Sequence, residues 1–208
     1  MTPQHPTTEA SQAPLLRSQR VRELTQDLHK RLEDTVGEWA PTDTLPGFTR
    51  FVQMQYLFQS EIQALYHDPE LVKLFADLPE RCRVKAAEAD LADLGAQVPA
   101  AVPGALQAPS KAQALAWIRV SEGSKLGAAI LFKQAVALGF SETHGARHLA
   151  EPEGGRMRGW KAFNAIFDTL PLSAAEEAEV DQASRDAFAR LELLLRTVGK
   201  RATSPQPA

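Results

Sequence analysis

The chain has 208 residues, of which 44% are hydrophobic and 24% are charged, so it has the composition of a globular protein and the length for one domain with a sizeable core. Its 23 Lys and Arg against 26 Asp and Glu leave a formal net charge of -3, which excludes the basic surplus that nucleic-acid binding or an anionic membrane requires. No apolar run approaches the roughly 20 residues of a membrane-spanning helix, and the first ten residues do not resemble a signal peptide, so we expect a cytoplasmic protein.

Both ends of the chain are poor in large apolar side chains. Residues 1–14 contain three prolines among Thr, Gln and Ser, and residues 199–208 read GKRATSPQPA. Such segments bury too little surface to offset the entropy of ordering them. We therefore expect two disordered tails around a single domain of residues 15–198.

Within that domain apolar residues recur at three-and-four spacing and no alternating strand pattern persists, which predicts an all-α fold. In chain order the predicted helices run from residues 16–18 to Gly37, over 47–66, from Asp68-Pro69 up to an interruption at Pro79, and over 80–94, 110–138, 157–170 and 173–198. Residues 98–109, rich in Pro, predict a connecting loop. Ser110 is a candidate N-cap, Gly139 a helix stop, and Ser173 with Glu176 a capping box.

His29 is the only one of the five histidines on a predicted amphipathic helix. It borders the apolar stripe, because it precedes Leu32 by three residues and Val36 by seven, and Glu33 follows one turn later. This placement suits a single axial ligand to a heme iron, with the second ring nitrogen oriented by a carboxylate or water. A structural, hydrogen-bonded histidine fits the same pattern.

Two glycines lie one turn apart inside the longest predicted helix, although each costs about 0.5–1 kcal/mol relative to alanine. Gly123 and Gly127, with Ser124 and Ala128, leave one side of this helix almost bare of side chains. A large flat group such as a porphyrin could touch the backbone there. Close packing of another helix is the alternative explanation.

Cys82 is the only cysteine, so no internal disulfide can form, which is consistent with a reducing compartment. It lies between Arg81 and Arg83 with no His or Asp nearby in sequence, and we do not expect it to be a nucleophile. Motifs typical of serine hydrolases, zinc proteases, phosphate-binding loops and dinucleotide-binding folds are missing from the sequence.

Three segments together resemble the bacterial heme oxygenases of the iron-acquisition and phytochrome-associated type: LRSQRVRELTQDLHKRLE, VSEGSKLGAAILFK and LGFSETHGARHLAEPEGG. The resemblance implies a single-domain, heme oxygenase-like helical bundle. Heme would lie between a proximal helix that carries His29 as the iron ligand and a kinked distal helix at Gly123 and Gly127. It further implies that O2 and electrons from a ferredoxin, flavin reductase or other carrier open the heme ring to biliverdin, CO and ferrous iron. We expect a monomer.

The same resemblance assigns supporting positions around the heme. Glu33 would hydrogen-bond the His29 ligand, and Arg22, Arg119 and Arg185 would either meet a heme propionate or face solvent. Arg83 would support a water network on the distal side of the heme. Phe188 would line the pocket with its ring, and Ser124 would be a small residue of the distal helix.

Relatives that open the ring at the beta or delta position use particular Asn, Lys and Phe residues to rotate the heme. At the matching places this chain has Arg22, Gly37, Arg119 and Gln134. We therefore expect the usual heme seating and biliverdin IX alpha as the product.

Other functions fit parts of the sequence. A heme-sequestering protein would need His29 and the small helix face but no turnover. A helical enzyme that cleaves a small heterocycle such as thiamin would need Cys82 as its nucleophile. A helical adaptor that binds a partner in its grooves would have no affinity for heme.

Overall fold

Seven α-helices and two short 3₁₀ turns make up residues 15–203, the part of the chain that the computed structural model describes. The helices are α1 (Arg17–Trp39), α2 (Leu45–Tyr66), α3 (Pro69–Leu74), α4 (Val84–Asp93), α5 (Lys111–Ala137), α6 (Arg156–Thr169) and α7 (Ala174–Thr203), and the 3₁₀ turns are Pro79–Arg81 and Arg147–Leu149. Extended pairing within this range is limited to isolated bridges from Ser141 to the residues at 144 and 145. The predicted all-α class is confirmed.

The helix ends follow the capping signals of the sequence. Ser110 Oγ accepts a hydrogen bond from the Gln113 backbone N at 3.2 Å, and the Gln113 side chain accepts one from the Ser110 backbone N at 3.0 Å. Ser173 and Glu176 form the same reciprocal pair before α7. Gly139 has φ +91°, a left-handed conformation that glycine adopts without strain, and α5 ends just before it.

The predicted helix over residues 80–94 is wrong in its first turn. The chain there forms the 3₁₀ turn Pro79–Arg81, is extended at Cys82 (φ -64°, ψ 130°), and becomes α-helical only from Val84. One cause is a tertiary contact: Lys125 Nζ donates a hydrogen bond to the Arg81 carbonyl at 2.8 Å, so this carbonyl has a partner outside the helix.

The prediction that the C-terminal tail begins at residue 199 is wrong, because α7 continues as a helix through Thr203. Gly199 is packed so closely against Trp39 that an added β-carbon would lie 2.3 Å from the indole, and Arg201 Nη1 donates a hydrogen bond to the Ala100 carbonyl at 2.8 Å. These contacts offset the ordering entropy that the composition alone suggested. Residues 1–14 and 204–208 lie outside the described residues.

The core surrounds the first half of α5. Residues 114–122 of this helix are all buried, whereas between Gly123 and Ala137 only Ala128 and Ala135 are buried. Ile130 and Val136 are 69% and 52% exposed although both are apolar. The largest fully buried side chains are Tyr66, Phe48, Phe58, Phe163, Phe167, Met54, Ile62, Leu78, Leu91, Leu115, Ile118 and Leu194. The second half of α5 therefore lacks cover on the side away from the core.

Across residues 15–203, no helix combines the length and the apolar character needed to cross a bilayer.

Candidate active site

The packing of α7 along both helices implies a cleft between α1 and the second half of α5, with α7 as its floor. Helix α7 packs along both α1 and α5, but α1 and α5 make only slight contact with each other. Two hydrogen bonds join them at their ends. Arg119 Nη2 donates to the Ser18 carbonyl at 2.8 Å, and Thr42 Oγ1, just beyond α1, donates to Gln134 Oε1 at 2.5 Å. The cleft lies between these two joints.

His29 lies opposite a stretch of α5 that includes the two glycines. Equal numbers of residues along two parallel helices span equal lengths. Counted forward from the joint between Ser18 and Arg119, His29 lies opposite about residue 130 of α5. Counted back from the joint between Thr42 and Gln134, it lies opposite about residue 121. Gly123 and Gly127 fall inside that interval. The predicted juxtaposition of a first-helix histidine with the glycine pair is thus compatible with the fold.

The His29 imidazole is 59% exposed and is oriented by two neighbours. Its Nδ1 lies 3.3 Å from Glu33 Oε1 on the next turn of α1. Its ring meets the ring of Phe188 on α7 edge to face, with centroids 6.0 Å apart. A carboxylate at Nδ1 favours the tautomer with the proton on that atom, which leaves the Nε2 lone pair available to a metal.

The four small residues of α5 do not share one bare side, so that expectation is wrong in detail. A β-carbon at Gly127 would meet no atom within 4 Å, but one at Gly123 would lie 3.4 Å from Trp160 Cη2 on α6. Ser124 and Ala128 are each about 100° further around the helix, and both line a small cavity on a neighbouring side of α5. Of the two glycines only Gly127 therefore opens onto free space, and α-helical structure continues through both.

Arg119 does not face solvent, contrary to one of the two expectations, and its contact with a heme propionate stays a prediction. It is buried between the rings of Trp160 and Phe167, 5.3 and 5.5 Å from their centroids, while it donates to Ser18. Burial lowers the pKa of Arg119 to about 10, so the guanidinium remains charged at neutral pH. It joins α1, α5 and α6 at the closed end of the cleft.

Arg22 and Arg185 are both exposed, and within residues 15–203 neither makes a hydrogen bond or an ion pair. Arg22 precedes His29 by two turns of α1, and Arg185 precedes Phe188 by one turn of α7. Helices α1 and α7 run parallel, since Arg17 pairs with Glu177 near their starts and Arg31 with Glu192 further along. Both arginines thus lie toward the same end of the cleft.

A buried carboxylate anchors α5 beside Gly123. The Glu122 side chain is 4% exposed and accepts hydrogen bonds from the Tyr66 hydroxyl at 3.0 Å, Arg81 Nη1 at 3.1 Å and Lys125 Nζ at 2.5 Å. Burial and the Glu122 charge raise the pKa of Tyr66 well above its ordinary value, so its hydroxyl keeps its proton and donates. The network ties the distal helix to α2 and to the turn Pro79–Arg81.

Behind α5 lies a cavity of about 30 Å³ that includes Arg83 and Ser124 in its wall. Arg83 Nη2 donates weakly to the Ala150 carbonyl at 3.4 Å, and its Nε is buried. Ser124 Oγ donates to the Ser121 carbonyl at 2.7 Å. Neither residue lies on the floor of the cleft, and both instead face the space between α5, α2 and the turn Arg147–Leu149.

The cleft has the features that a porphyrin site needs. An oriented imidazole projects from one wall, a side-chain-free backbone position at Gly127 stands on the other, and apolar surface at Ile130 is left uncovered. The two unpaired arginines at one end suit carboxylates such as propionates. Cys82 is half-buried against the core and lies on the other side of α5, next to the network of Glu122.

Sequence reasoning missed the contacts that hold this site together. The joint between Thr42 and Gln134 and the pair formed by His148 and Asp90 link residues 92 and 58 positions apart. The only signal in the sequence was the GARHL segment, which contains His148 and was part of the family resemblance.

Known proteins resemble this chain along most of its length. The family model for heme oxygenase matches residues 16–197. The chain is 51% identical over 184 residues to heme oxygenase PigA from Pseudomonas aeruginosa, a match that covers 88% of this chain and 93% of that protein.

Solved structures show the same fold. The heme oxygenase of Neisseria meningitidis, studied with NO and CO bound, superposes with a TM-score of 0.83 at 32% identity over 94% of this chain and 99% of that one. Heme oxygenase-1 from the cyanobacterium Synechocystis sp. PCC6803, solved in complex with heme, has a TM-score of 0.72 at 17% identity over 90% of this chain and 94% of that one.

Proposed function

The chain belongs to the heme oxygenase family, and we propose that the cleft between α1 and α5 is where this enzyme binds and degrades heme. The observation that carries the proposal is the oriented His29 imidazole at the level of Gly127, the one distal position where a β-carbon would meet only open space. The protein is accordingly an oxidoreductase that uses heme as both cofactor and substrate.

Bound heme supplies the iron at which O2 is reduced and the ring that is opened to biliverdin, CO and Fe²⁺. We assign His29 Nε2 as the atom that would hold the heme iron. Glu33 favours the tautomer with the proton on Nδ1, which leaves the Nε2 lone pair available to the iron. Phe188 meets the imidazole ring edge to face and limits its rotation.

On the distal side the contribution of the chain is steric. At Gly127 the helix backbone would be free to contact a bound porphyrin directly, so this position would limit the space over that face of the ring. The charged groups of this stretch, Glu122 and Lys125, are engaged with each other on the opposite side of α5. Protons would then be supplied through water, since neither of these two charged side chains is directed toward the cleft.

The seating of the heme follows from the cations at the cleft. Arg22 and Arg185 are exposed and unpaired among the described residues, so both are available to the propionates. Gln134 is held by Thr42, and Arg119 is buried, so neither is available to draw the propionates to another position. This arrangement favours biliverdin IX alpha as the product.

Electrons come from an external donor of the ferredoxin or reductase class. We further propose that the enzyme acts as a monomer in the cytoplasm.

The test is a visible spectrum of the purified protein with one equivalent of hemin, followed after ascorbate is added in air with catalase present. Loss of the Soret band with growth of a broad red biliverdin absorption supports the proposal, and chromatography of the pigment should show mainly the alpha isomer. A stable Soret band would instead identify a heme-sequestering protein. No spectral change on adding hemin would contradict the assignment of His29.

A further inference from the structure

Residues 123–134 of α5 are anchored at both ends and have little packing between them. Before this stretch, residues 114–122 are all buried in the core. After it, Ala135 is 0% exposed, and the ring of Phe140 stacks on a ring of α2 with centroids 5.7 Å apart. Within the stretch only Ala128 is buried, and two of its residues are glycines, which lower the stability of a helix. Few contacts therefore determine where this stretch lies.

One hydrogen bond ties the stretch to the α1 side of the cleft. Thr42 Oγ1 donates to Gln134 Oε1 at 2.5 Å, and Thr42 is 7% exposed. In the part of the chain that the structure describes, no other hydrogen bond joins residues 123–134 to α1 or to the turn that follows it. Without the Thr42 hydroxyl, the two sides of the cleft would have no hydrogen bond at this end.

Thr42 belongs to a turn that other contacts hold in place. The Pro41 carbonyl accepts hydrogen bonds from Thr44 N at 3.2 Å and from Thr44 Oγ1 at 3.0 Å. The start of α2 packs closely on this turn, because a β-carbon added at Gly47 would overlap the Pro41 carbonyl. Arg50 Nε donates to the Trp39 carbonyl at 2.6 Å. The Thr42 hydroxyl is therefore fixed relative to both α1 and α2.

Gln134 lies on the same side of α5 as Gly127. Seven residues separate the two, and at about 100° per residue this angle is only about 20° short of two full turns. The bond to Thr42 thus turns the Gly127 side of α5 toward α1, the helix that carries His29. A rotation of α5 by about 60° would bring the Ile130 side chain to this side in place of bare backbone.

We propose that Thr42 is a positioning residue of the heme site. Through Gln134 it holds residues 123–134 at the rotation and the distance from α1 at which Gly127 faces the porphyrin. A porphyrin confined by a fixed helix has one orientation, so Thr42 also contributes to the formation of a single biliverdin isomer. The inference rests on the proposed function.

The first test is hydrogen exchange in the heme-free protein. In Thr42→Val the amides of residues 123–134 should exchange about 2- to 10-fold faster than in the native chain, the effect expected for one lost hydrogen bond. Exchange in residues 114–122 should be unchanged. Thr42→Ser keeps the hydroxyl and should restore native exchange. Native exchange over residues 123–134 in Thr42→Val would overturn the proposal.

Thr35→Val is a matched control for the loss of a buried threonine hydroxyl. Thr35 is 3% exposed, but its hydroxyl donates to the Arg31 carbonyl of its own helix at 2.8 Å. This variant should exchange like the native chain over residues 123–134. Faster exchange there in Thr35→Val would mean that the effect is not specific to Thr42, and would count against the proposal.

A second variant removes the same bond from the other side. Gln134→Met lacks the acceptor and should reproduce the exchange pattern of Thr42→Val, including the case in which Thr42→Val does not fold. The double variant should exchange no faster than either single variant, because all three lack one and the same bond. Additive effects of the two changes would contradict the proposed link.

The last test examines the products from bound heme. Thr42→Val should open the ring more slowly and give a mixture of biliverdin isomers, whereas Thr42→Ser and Thr35→Val should give the native product. A loss of stability alone would reduce the amount of folded enzyme without changing the isomer ratio. A native isomer ratio in Thr42→Val would refute the positioning role, even with faster exchange. A native protein that fails to open heme would instead refute the proposed function, and the exchange comparison would still decide whether Thr42 holds this stretch.

Discussion

Replacing Gly127 by alanine should move stability and activity in opposite directions. The position is inside α5, and a β-carbon there would meet no atom within 4 Å. Gly to Ala at an unobstructed helix interior gains about 0.5–1 kcal/mol, mostly from the lower entropy of the unfolded chain. For a domain of this size that gain corresponds to a rise in Tm of about 1–4 °C in the heme-free protein.

The same methyl group should weaken hemin binding and slow heme turnover. A ring in contact with the glycine backbone lies about 3.5 Å from it, and a β-carbon projects about 1.5 Å into that space, so the ring must shift by more than 1 Å. Displacement on that scale costs about 100-fold in rate when a reaction depends on placement. The Gly127→Ala enzyme should therefore bind hemin more weakly and turn it over about 100-fold more slowly.

The assay pairs thermal unfolding of the heme-free protein with a hemin titration and single-turnover kinetics. Gly159→Ala is a matched control on α6, where the added β-carbon would be 3.8 Å from Arg81 Nη1, an ordinary contact. It should show a similar gain in Tm with unchanged heme turnover. If Gly127→Ala is stabilised and still degrades heme at the native rate, then the bare backbone at Gly127 does not face the porphyrin and the placement of the site is wrong.

Three further outcomes follow from the same geometry. His29→Ala should lose the Soret spectrum of histidine-ligated heme and most turnover, and added imidazole should restore part of the spectrum; a native spectrum would remove His29 as the ligand. Cys82→Ala should keep turnover within about 2-fold, since the thiol packs against the core, and a large loss would favour the nucleophilic enzyme class. Hydrogen bonds from Arg17 and Arg20 hold the pKa of Glu177 below its ordinary value of 4.5, so its contribution to stability is present above pH 4.5 and is lost as the pH falls through the lower folded value. The free energy of unfolding, measured with urea at a series of pH values, should fall less steeply at acid pH for Glu177→Gln than for the native chain. Equal dependence on pH in the two proteins would contradict this linkage.

Local features of the site could be predicted because neighbours in sequence determine them. The contact between His29 and Glu33 is a one-turn relation on a helix, and the caps at Ser110 and Ser173 need only three following residues. The sequence also pointed to Gly127, because a glycine inside a helix lowers its stability and so requires a reason. The His29 ligand role itself stays a prediction.

The placement of several site residues depends on contacts between distant parts of the chain, which the sequence does not reveal. Arg119 is an unremarkable arginine in the sequence, and only the rings of Trp160 and Phe167, more than 40 residues away, make its burial possible. Ser124 and Ala128 line the small cavity rather than the cleft, and this position depends on which faces of α5 the other helices cover. Charged side chains are mostly exposed, so a buried arginine contradicts the general expectation from composition.

The uncovered half of α5 has a consequence for the lifetime of the enzyme. Ile130 and Val136 are exposed apolar side chains on this half, and exposed apolar surface favours self-association and attack by proteases. A ligand that covers this surface stabilises the folded state by mass action, about 2.7 kcal/mol when its free concentration is 100 times the Kd. That is about a 100-fold decrease in the unfolded fraction. If heme binds in the proposed site, we therefore expect the heme-loaded protein to unfold and to be degraded more slowly than the heme-free protein.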